Sequence, residues 1–350
     1  MAGDPTAGLV VVNADPPNAE APAAALAHAV TPAAAVYVRT NFGVPDAAAL
    51  GDGLAVDGAV RAPLRLAWGE LRAMPQRTVV ATMECAGNDR VAMRPLPAGE
   101  PWRTGAVSTA EWTGVPLAAL LDAAGLGTDA VEVLAVGADA GPRTDADAPG
   151  PVRFARSLPR ADALRPDTLV ALAMNGEPLT PAHGAPARLL VPGWYGMASV
   201  KWLTRLEALA APFDGYFQRR RYVYDDGTGA AHPVTRARVK SAIVGPAEGA
   251  RVGRGPVTVW GWAWSGHGAV TAVEVAHAGG DAWAPARVEP GASPHAWSRW
   301  EATVPLDAPG RYVLRSRARD ASGAVQPDLP PWNRLGYGNN AVRAVVVDVV

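Results

Sequence analysis

The sequence is poor in cysteine and in lysine. Its 350 residues include one cysteine, Cys85, and two lysines, Lys201 and Lys240. A single cysteine excludes a disulfide within the chain. The formal net charge of −1 gives no electrostatic reason to bind nucleic acid or an anionic membrane. No run approaches about 18 apolar residues without a charge, glycine or proline, so no transmembrane helix is predicted.

The first residues, Met1 to Pro5, carry neither the basic region nor the apolar run of a leader peptide. We therefore expect the chain to stay in the cytoplasm. Its composition, 49% apolar and 19% charged residues, is typical of a folded globular protein and excludes an intrinsically disordered one.

The pattern of the sequence changes near residue 235. At 350 residues the chain is long enough to bury two cores. Helix and strand signals are mixed before residue 235, whereas strand-like runs and turns follow it without helical patterning. We predict an α+β domain over residues 1–234 and an immunoglobulin-like β-sandwich over residues 235–350.

Several elements can be predicted within these two domains. Thr113 to Gly125 predicts a helix, because Leu117, Leu120, Leu121 and Ala124 form one apolar stripe. Residues 15–35 predict an extended wrap, residues 36–45 a strand that runs into a turn, and residues 137–151 a long connection. Further strands are predicted over residues 131–136, 169–174, 189–191, 256–264, 269–275, 311–319 and 341–350.

Cys85 lies in the segment Thr82-Met-Glu-Cys-Ala-Gly-Asn-Asp-Arg90. The apolar run before it and the Gly-Asn turn after it place the thiol at the end of a strand, where loops present reactive groups. A lone cysteine can be a small buried hydrophobic residue. It can also be a thiolate that binds a soft metal, with Arg90 supplying positive charge nearby. The residues of this segment alone leave both interpretations open.

Four further segments carry residues suited to binding oxyanions. Taken singly, each has an ordinary interpretation: a loop histidine, a solvated lysine or arginine, or a packed tyrosine. Arginine forms a planar fork that matches oxyanions, and the Gly-rich turn at residues 193–196 offers backbone N–H groups. The segments are residues 36–45, residues 102–112, residues 175–202 and residues 218–222.

Together with the order of these segments, the motif Glu84-Cys-Ala-Gly-Asn-x-Arg90 resembles the sulfite oxidase family of molybdenum enzymes. The resemblance extends over almost the whole chain. It implies a molybdopterin-binding domain followed by a β-sandwich that dimerises, Mo-molybdopterin as the cofactor, and oxidation of sulfite to sulfate by oxo transfer.

The resemblance also implies roles for particular residues. Cys85 would be the protein ligand of molybdenum. Arg39, Arg90, Trp102 and Tyr222 would line the substrate pocket. The pterin and its phosphate would be held by Tyr37, Val38, Arg39, Thr40, Asn41, Asp139, His183, Arg188, Ser199, Val200 and Lys201.

The sequence departs from the family pattern at three places. Arg39-Thr40-Asn41 stands where Arg-Asn-His is common, so an amide replaces the histidine. Asp89 stands where a basic residue is common, which adds negative charge near the pocket. Trp332-Asn-Arg-Leu-Gly336 replaces Trp-Asn-Leu-Arg-Gly, so the arginine that reaches the substrate is shifted by one residue to Arg334.

These departures keep other functions open. An uncharged residue at Leu335 also fits nitrate reductases, and S-oxide reductases share the metal-bound cysteine. A cofactor-free binding protein on an enzyme scaffold is a third alternative, against which intact Cys85, Arg188 and Lys201 argue. The chain has no Cys-x-x-Cys-His haem motif, so we expect no haem in it. Electrons would then leave to oxygen or to a separate carrier such as a cytochrome.

Overall fold

The structure of the protein is a computed structural model that describes residues 4, 6–143, 150–229, 231–277 and 282–350. Strands dominate it, and the α-helices are short. No helix of the described residues has the length and apolar character needed to cross a membrane. The α-helices, numbered along the chain, are α1 (Ala47–Leu50), α2 (Trp68–Ala73), α3 (Leu117–Ala124) and α4 (Arg160–Ala163).

Two five-stranded sheets and two short ribbons make up the first part of the chain. The ribbons are β1 (Val10–Asn13) with β2 (Asn18–Glu20), and β13 (Val223–Tyr224) with β14 (His232–Pro233). One sheet, in the order β4-β3-β12-β7-β8, contains β3 (Gly53–Gly58), β4 (Leu64–Ala67), β7 (Glu132–Gly141), β8 (Val152–Pro159) and β12 (Leu203–Leu209). The other contains β5 (Arg77–Glu84), β6 (Val107–Pro116), β9 (Leu169–Met174), β10 (Glu177–Pro178) and β11 (Arg188–Leu190).

Single helical turns interrupt the loops between these strands. One turn, Phe217–Arg221, is a π-helix and the rest are 3₁₀-helices. The 3₁₀ turns are Ala23–Ala27, Ala33–Ala35, Arg90–Ala92, Pro181–His183 and Gly196–Ala198.

The last part of the chain is a sandwich of two sheets, as the sequence predicts. One sheet has the order β15-β17-β21-β20 and contains β15 (Lys240–Gly245), β17 (Gly255–Trp264), β20 (Arg287–Glu289) and β21 (Ser298–Leu306). The other has the order β16-β23-β22-β18-β19 and contains β16 (Ala250–Val252), β18 (Val270–His277), β19 (Ala284–Pro285), β22 (Gly310–Asp320) and β23 (Ala344–Val349). Val259, Trp300, Leu314 and Val347 are fully buried between the sheets.

The fold class is confirmed: an α+β part precedes a β-sandwich. The immunoglobulin-like character of the sandwich and the boundary at residue 235 stay predictions. Along β22 the arginines alternate with buried Leu314, Ser316 and Ala318, as expected for a half-buried strand. The helix predicted over residues 113–125 is present in part, as α3: residues 113–116 belong to β6, whereas the four stripe residues are fully buried in α3, which ends at Gly125 in the left-handed region.

Three other local predictions are wrong, at least in part. The connection predicted over residues 137–151 begins only after Gly141, because β7 continues that far in its pairing with β8; residues 144–149 lie outside the described residues. Residues 36–45 form no strand, since only Val38 pairs, in an isolated bridge with Ala19. The extended wrap over residues 15–35 contains β2 and two 3₁₀ turns.

The two parts of the chain share a polar and aromatic interface. Three tryptophans of the sandwich donate indole N–H bonds to the first part: Trp262 to Leu26 O at 2.6 Å, Trp297 to Ala29 O at 2.7 Å and Trp264 to Glu84 Oε2 at 2.9 Å. Glu84 is the last residue of β5. The sandwich therefore contacts the strand end at which Cys85 lies.

Candidate active site

A cleft opens beside the end of β5, with about 780 Å³ of free space that includes solvent at its mouth. Cys85 lines this cleft, together with most of the residues that the resemblance assigned to cofactor and substrate. The assigned residues that line it are Tyr37, Arg39, Thr40, Asn41, Asp139, His183, Arg188, Ser199, Lys201 and Tyr222. The fold thus brings together side chains from five separate stretches of the sequence.

Cys85 follows β5 directly, as predicted. Its backbone N–H donates to Ala106 O at 2.8 Å, and its carbonyl accepts the N–H of Asn88 at 2.9 Å, which closes the turn. The residue is buried. Burial raises the pKa of the Cys85 thiol, whereas the guanidinium groups of Arg39 and Arg90 lower it. Burial outweighs these two cations, so the pKa of the thiol lies above its ordinary value, and the cations act in the direction of the thiolate form that a metal binds.

Arg188 and Lys201 place two cations on one wall of the cleft, beside the neutral imidazole of His183. Arg188 donates to His183 O at 3.2 Å and to Ser199 O at 3.0 Å, and its guanidinium carbon lies 4.9 Å from the centre of the Trp112 ring. Lys201 Nζ donates to Ala182 O at 2.8 Å. Burial, and repulsion from Arg188, hold the pKa of Lys201 well below its usual value. The carboxylate of Asp139 acts in the opposite direction on Lys201. Among the described residues neither Arg188 nor Lys201 forms an ion pair within 4 Å, and two neighbouring cations of this kind indicate a site for an anion.

Unpartnered polar atoms in the same cleft point to a polar ligand. Arg188 Nε and Asp139 Oδ1 are buried and have no hydrogen-bond partner. Buried polar atoms without partners are uncommon and costly in folded proteins. A group with a phosphate and ring N–H donors would satisfy both atoms, so these residues fit a pterin phosphate. Among the described residues no cluster of three or more His, Cys, Asp and Glu side chains could hold a metal by itself.

The other wall of the cleft joins Arg39 to Tyr222 through an amide. Arg39 donates to Asn41 Oδ1 at 2.8 Å, and Asn41 Nδ2 lies 3.2 Å from the Tyr222 hydroxyl. The Tyr222 ring packs against Tyr337 of the sandwich, with ring centres 5.3 Å apart. Asn41, which stands where the family commonly has histidine, therefore orients both the guanidinium and the phenol.

Four of the assigned residues do not line the cleft. Val38 pairs with Ala19, and Val200 is buried in the core of the first domain. Trp102 packs edge-on against Tyr37, with ring centres 6.5 Å apart. Arg90 donates to Leu335 O at 3.0 Å and to Glu100 O at 2.6 Å, so it joins the two parts of the chain. These four side chains therefore lie outside the lining of the cleft.

The prediction for the Gly-rich turn is wrong for most of its residues. The N–H groups of Trp194 and Tyr195 already donate to Val191 O at 3.2 Å and to Thr235 O at 3.0 Å. Only Gly196 of this turn lines the cleft. A Cβ atom there would lie 2.5 Å from the Tyr37 hydroxyl, so glycine allows that hydroxyl to approach the backbone.

The other two departures from the family pattern, at Asp89 and at Arg334-Leu335, also have clear structural outcomes. Asp89 does not add free negative charge, because Lys240 Nζ lies 2.8 Å from its carboxylate and Arg343 also pairs with it. Arg334 points to Asp225, at 2.9 Å, on an exposed surface, and Leu335 is buried. Neither Arg334 nor Leu335 lines the cleft.

Sequence reasoning missed several residues of the cleft wall. Ser108 and Trp112, on alternate positions of β6, line the cleft within the segment that the sequence singled out. The period-2 pattern of that segment could have identified them. Met83, Phe154 and Met197 also line it, and apolar residues of this kind carry no signal that separates them from core residues.

His183 is expected to lower the acid stability of the cofactor-free protein. Burial, with repulsion from Lys201 and Arg188, lowers the pKa of His183 to about 3. In the unfolded chain His183 has its ordinary pKa of about 6.5, so below that pH the unfolded chain binds a proton that the folded chain does not bind. The free energy of unfolding therefore falls as the pH falls from about 6.5 toward 3. Between pH 7 and 5.5 this histidine alone should remove about 1 kcal/mol from the free energy of unfolding.

Urea unfolding of the cofactor-free protein at both pH values, compared with that of His183→Gln, measures this contribution. The variant should lose less stability on acidification than the parent chain does. Equal losses in the two proteins would contradict the assignment of a neutral His183, whatever the absolute stability of the variant.

Sequence and structure comparisons identify the family of the chain. A family described as the oxidoreductase molybdopterin binding domain matches residues 42–217, and the Mo-co oxidoreductase dimerisation domain matches residues 232–350. Sulfite oxidase of Gallus gallus is 37% identical over 97% of this chain and 78% of its own length. Mitochondrial sulfite oxidase of Rattus norvegicus is 36% identical over 96% of this chain and 64% of its own length.

Two further proteins that the chain resembles are named for activities other than sulfite oxidation. Nitrate reductase [NADH] 1 of Arabidopsis thaliana is 31% identical over 93% of this chain and 39% of its own length. The crystal structure of the sulfane dehydrogenase SoxCD from Paracoccus pantotrophus superposes with a TM-score of 0.82 and 30% identity, covering 95% of this chain and 84% of that one. The chain is a molybdopterin-dependent oxidoreductase and belongs to the sulfite oxidase family.

Proposed function

We propose that the protein oxidises sulfite to sulfate at a molybdenum centre whose protein ligand is Cys85. The observation that carries this proposal is the shared cleft: Cys85 lines it together with a guanidinium–phenol pair, Arg39 and Tyr222, and the cationic residues Arg188 and Lys201 line its other wall. The animal relatives named above are sulfite oxidases, which supports the same substrate.

The cleft residues divide into two groups by what they would hold. Arg188 and Lys201 would bind the pterin phosphate, because both are cations that line the cleft and donate only to backbone carbonyls on its wall. Asp139 Oδ1 and the Tyr37 hydroxyl would contact the ring system. Cys85 would bind the metal through its sulfur, and the metal would supply the two-electron redox chemistry.

Arg39 and Tyr222 would bind the substrate oxyanion beside Cys85. The 2.8 Å bond from Arg39 to Asn41 fixes the guanidinium in place before substrate arrives. The Tyr222 ring is held by Tyr337, so its hydroxyl donates from a fixed position. Preorganised donors of this kind stabilise developing charge without the cost of reorganising water.

Two other substrates fit parts of the same site. In the sulfite oxidase pattern an arginine at the position of Leu335 reaches the substrate. This chain has no cation at that position, so its pocket has one positive charge fewer to bind sulfite. A reductase acting on nitrate or an S-oxide is therefore the second candidate, and the Arabidopsis nitrate reductase relative supports it. Sulfane sulfur is a third substrate class, supported by the SoxCD likeness.

Molybdenum analysis combined with substrate-dependent bleaching tests this proposal. The protein is purified from a host that makes molybdopterin, and the expected result is about one molybdenum per chain with a visible band that sulfite bleaches. Dithionite provides the control for a reducible centre. Bleaching by a sulfane-sulfur compound only, or reoxidation of the reduced centre by nitrate or an S-oxide only, would overturn sulfite as the substrate. Protein without molybdenum would favour the cofactor-free scaffold.

Three further properties belong to the proposal. The protein would act as a homodimer through residues 235–350, which is supported by the match to a dimerisation domain. Oxygen or a separate electron carrier such as a cytochrome would reoxidise the metal. The cytoplasmic location, and the expected lack of haem, stay predictions from the sequence.

A further inference from the structure

Lys240 is buried at the junction between the sandwich and the Cys85 loop, which comprises residues 85–90. Its Nζ lies 3.1 Å from Glu84 Oε1 and 2.8 Å from Asp89 Oδ2, and it also donates to Asn339 O at 3.0 Å. All three ammonium N–H groups therefore have an acceptor. The side chains of Lys240, Glu84 and Asp89 are only 2–3% exposed.

The two carboxylates bracket the loop that carries the thiol. Glu84 precedes Cys85 by one residue, and Asp89 follows it by four. Glu84 also accepts the Asn88 amide at 2.9 Å, and Asn88 in turn accepts the N–H of Ala106 at 3.1 Å. Lys240 thus contacts both ends of the turn that carries Cys85.

Other contacts from the sandwich reach the same loop. Gly338 N donates to Ala86 O at 2.7 Å, and Asn339 Nδ2 donates to Asp89 O at 2.8 Å. Trp264 Nε1 donates to the second oxygen of Glu84 at 2.9 Å, and Arg343 pairs with the second oxygen of Asp89. The loop therefore has its charges neutralised, and its backbone held, by residues far away in the sequence.

We propose that Lys240 is a positioning residue, through which the sandwich domain fixes the Cys85 loop in the geometry that binds the metal. Removing the ammonium would leave two buried carboxylates facing each other without a cation between them. Like charges at this distance repel strongly in a buried site, so the two ends of the loop would separate. The proposal rests on the proposed metal-ligand role of Cys85.

Hydrogen exchange of the cofactor-free full-length chain tests the inference without reference to substrate. In Lys240→Met the amides of residues 85–90 are expected to exchange at least about tenfold faster, while those of β6 stay unchanged. Lys240→Arg, which keeps the cation, should restore protection. His295→Gln is the matched control, because it removes another contact between the two parts of the chain, His295 to Asp167 at 3.0 Å, away from the loop.

The loaded enzyme gives a second and separate readout. Lys240→Met is expected to lower kcat about 10- to 100-fold, as for residues that orient a metal ligand, with KM changed less than about twofold. If Lys240→Met does not fold, Trp264→Phe removes the indole donor to Glu84 and should move both readouts in the same direction. Unchanged exchange over residues 85–90 in the variant that folds, or an equal increase in His295→Gln, would overturn the proposal.

The two proposals fail in different ways. If sulfite is not the substrate, exchange in the cofactor-free protein is unaffected and still tests Lys240. If the parent protein binds molybdenum and oxidises sulfite but the Cys85 loop is equally protected with and without Lys240, only the positioning role is lost.

Discussion

Cys85→Ser is expected to lose turnover almost completely while the protein keeps its fold. The side chain is small and buried, and a serine hydroxyl can accept the Gly87 N–H as the thiol does, so serine fits the same space. An alcohol does not ionise as a thiol does, and it is a harder ligand for a soft-accepting metal. Because residues that only orient metal ligands change activity 10- to 100-fold, loss of the ligand itself should exceed about 100-fold.

The measurement is turnover per folded protein, with molybdenum and pterin contents determined separately. Circular dichroism of Cys85→Ser should match that of the parent chain, and pterin should persist, since Arg188 and Lys201 are intact. Substantial activity in this variant would exclude Cys85 as the metal ligand. Loss of fold would instead assign the thiol to the core.

Lys201→Met is expected to have opposite effects on cofactor binding and on the stability of the cofactor-free protein. Burial, with repulsion from Arg188, lowers the pKa of Lys201 well below its ordinary value of 10.5. At pH 7 the unfolded chain therefore holds this proton more favourably than the folded chain does, and the charge costs stability. Methionine removes that cost and loses the hydrogen bond to Ala182 O, the contact of the ammonium with the Trp202 ring at 4.1 Å and the attraction of Asp139. Because burial and repulsion from Arg188 dominate the pKa of Lys201, we expect the removed cost to be the larger effect.

The cofactor should respond in the other direction. A charge-assisted hydrogen bond to a phosphate contributes about 1.5–3 kcal/mol, which corresponds to roughly a 10- to 100-fold loss of affinity. We therefore expect Lys201→Met to be purified with little pterin, and its cofactor-free form to be at least as stable as the parent. Pterin fluorescence after denaturation and urea unfolding measure the two quantities.

The only other lysine provides the matched comparison. Burial lowers the pKa of Lys240, but the carboxylates of Asp89 and Glu84 outweigh it and hold the pKa above its ordinary value. Removing this cation leaves a broken buried ion pair, which typically costs about 3–5 kcal/mol. Cofactor-free Lys201→Met and Lys240→Met should thus differ in the sign of their stability change. Destabilisation of both by similar amounts would contradict a phosphate-binding role for Lys201.

The sequence alone located the reactive thiol and the elements that carry it. The apolar run before Cys85 predicted a strand, and β5 ends at Glu84. The period of the apolar residues predicted α3, and alternation predicted β22. These features depend on neighbouring residues, whose spacing the sequence shows directly. The motif around Cys85 suggested the cofactor through its resemblance to the sulfite oxidase family, which short segments of sequence are enough to reveal.

Pairings between distant residues were decided by the tertiary structure. Asp89 looked like an added negative charge until the fold placed Lys240 and Arg343 beside it. Arg90 was expected in the pocket, but its guanidinium binds carbonyls of Leu335 and Glu100. No pattern in the sequence indicates which of many arginines meets which acceptor, since that depends on how the two domains pack.

The same distinction separates the two lysines. In the sequence, Lys201 and Lys240 are equivalent cations, and each could have been a solvated surface charge. The fold buries Lys240 between two carboxylates that contact its ammonium, and it places Lys201 in a cleft beside Arg188, where repulsion and burial outweigh the attraction of Asp139. The sequence therefore determined the chemistry of each side chain. Long-range packing determined the environment of each charge, and with it the roles we propose: Lys201 binds the cofactor and Lys240 holds the Cys85 loop.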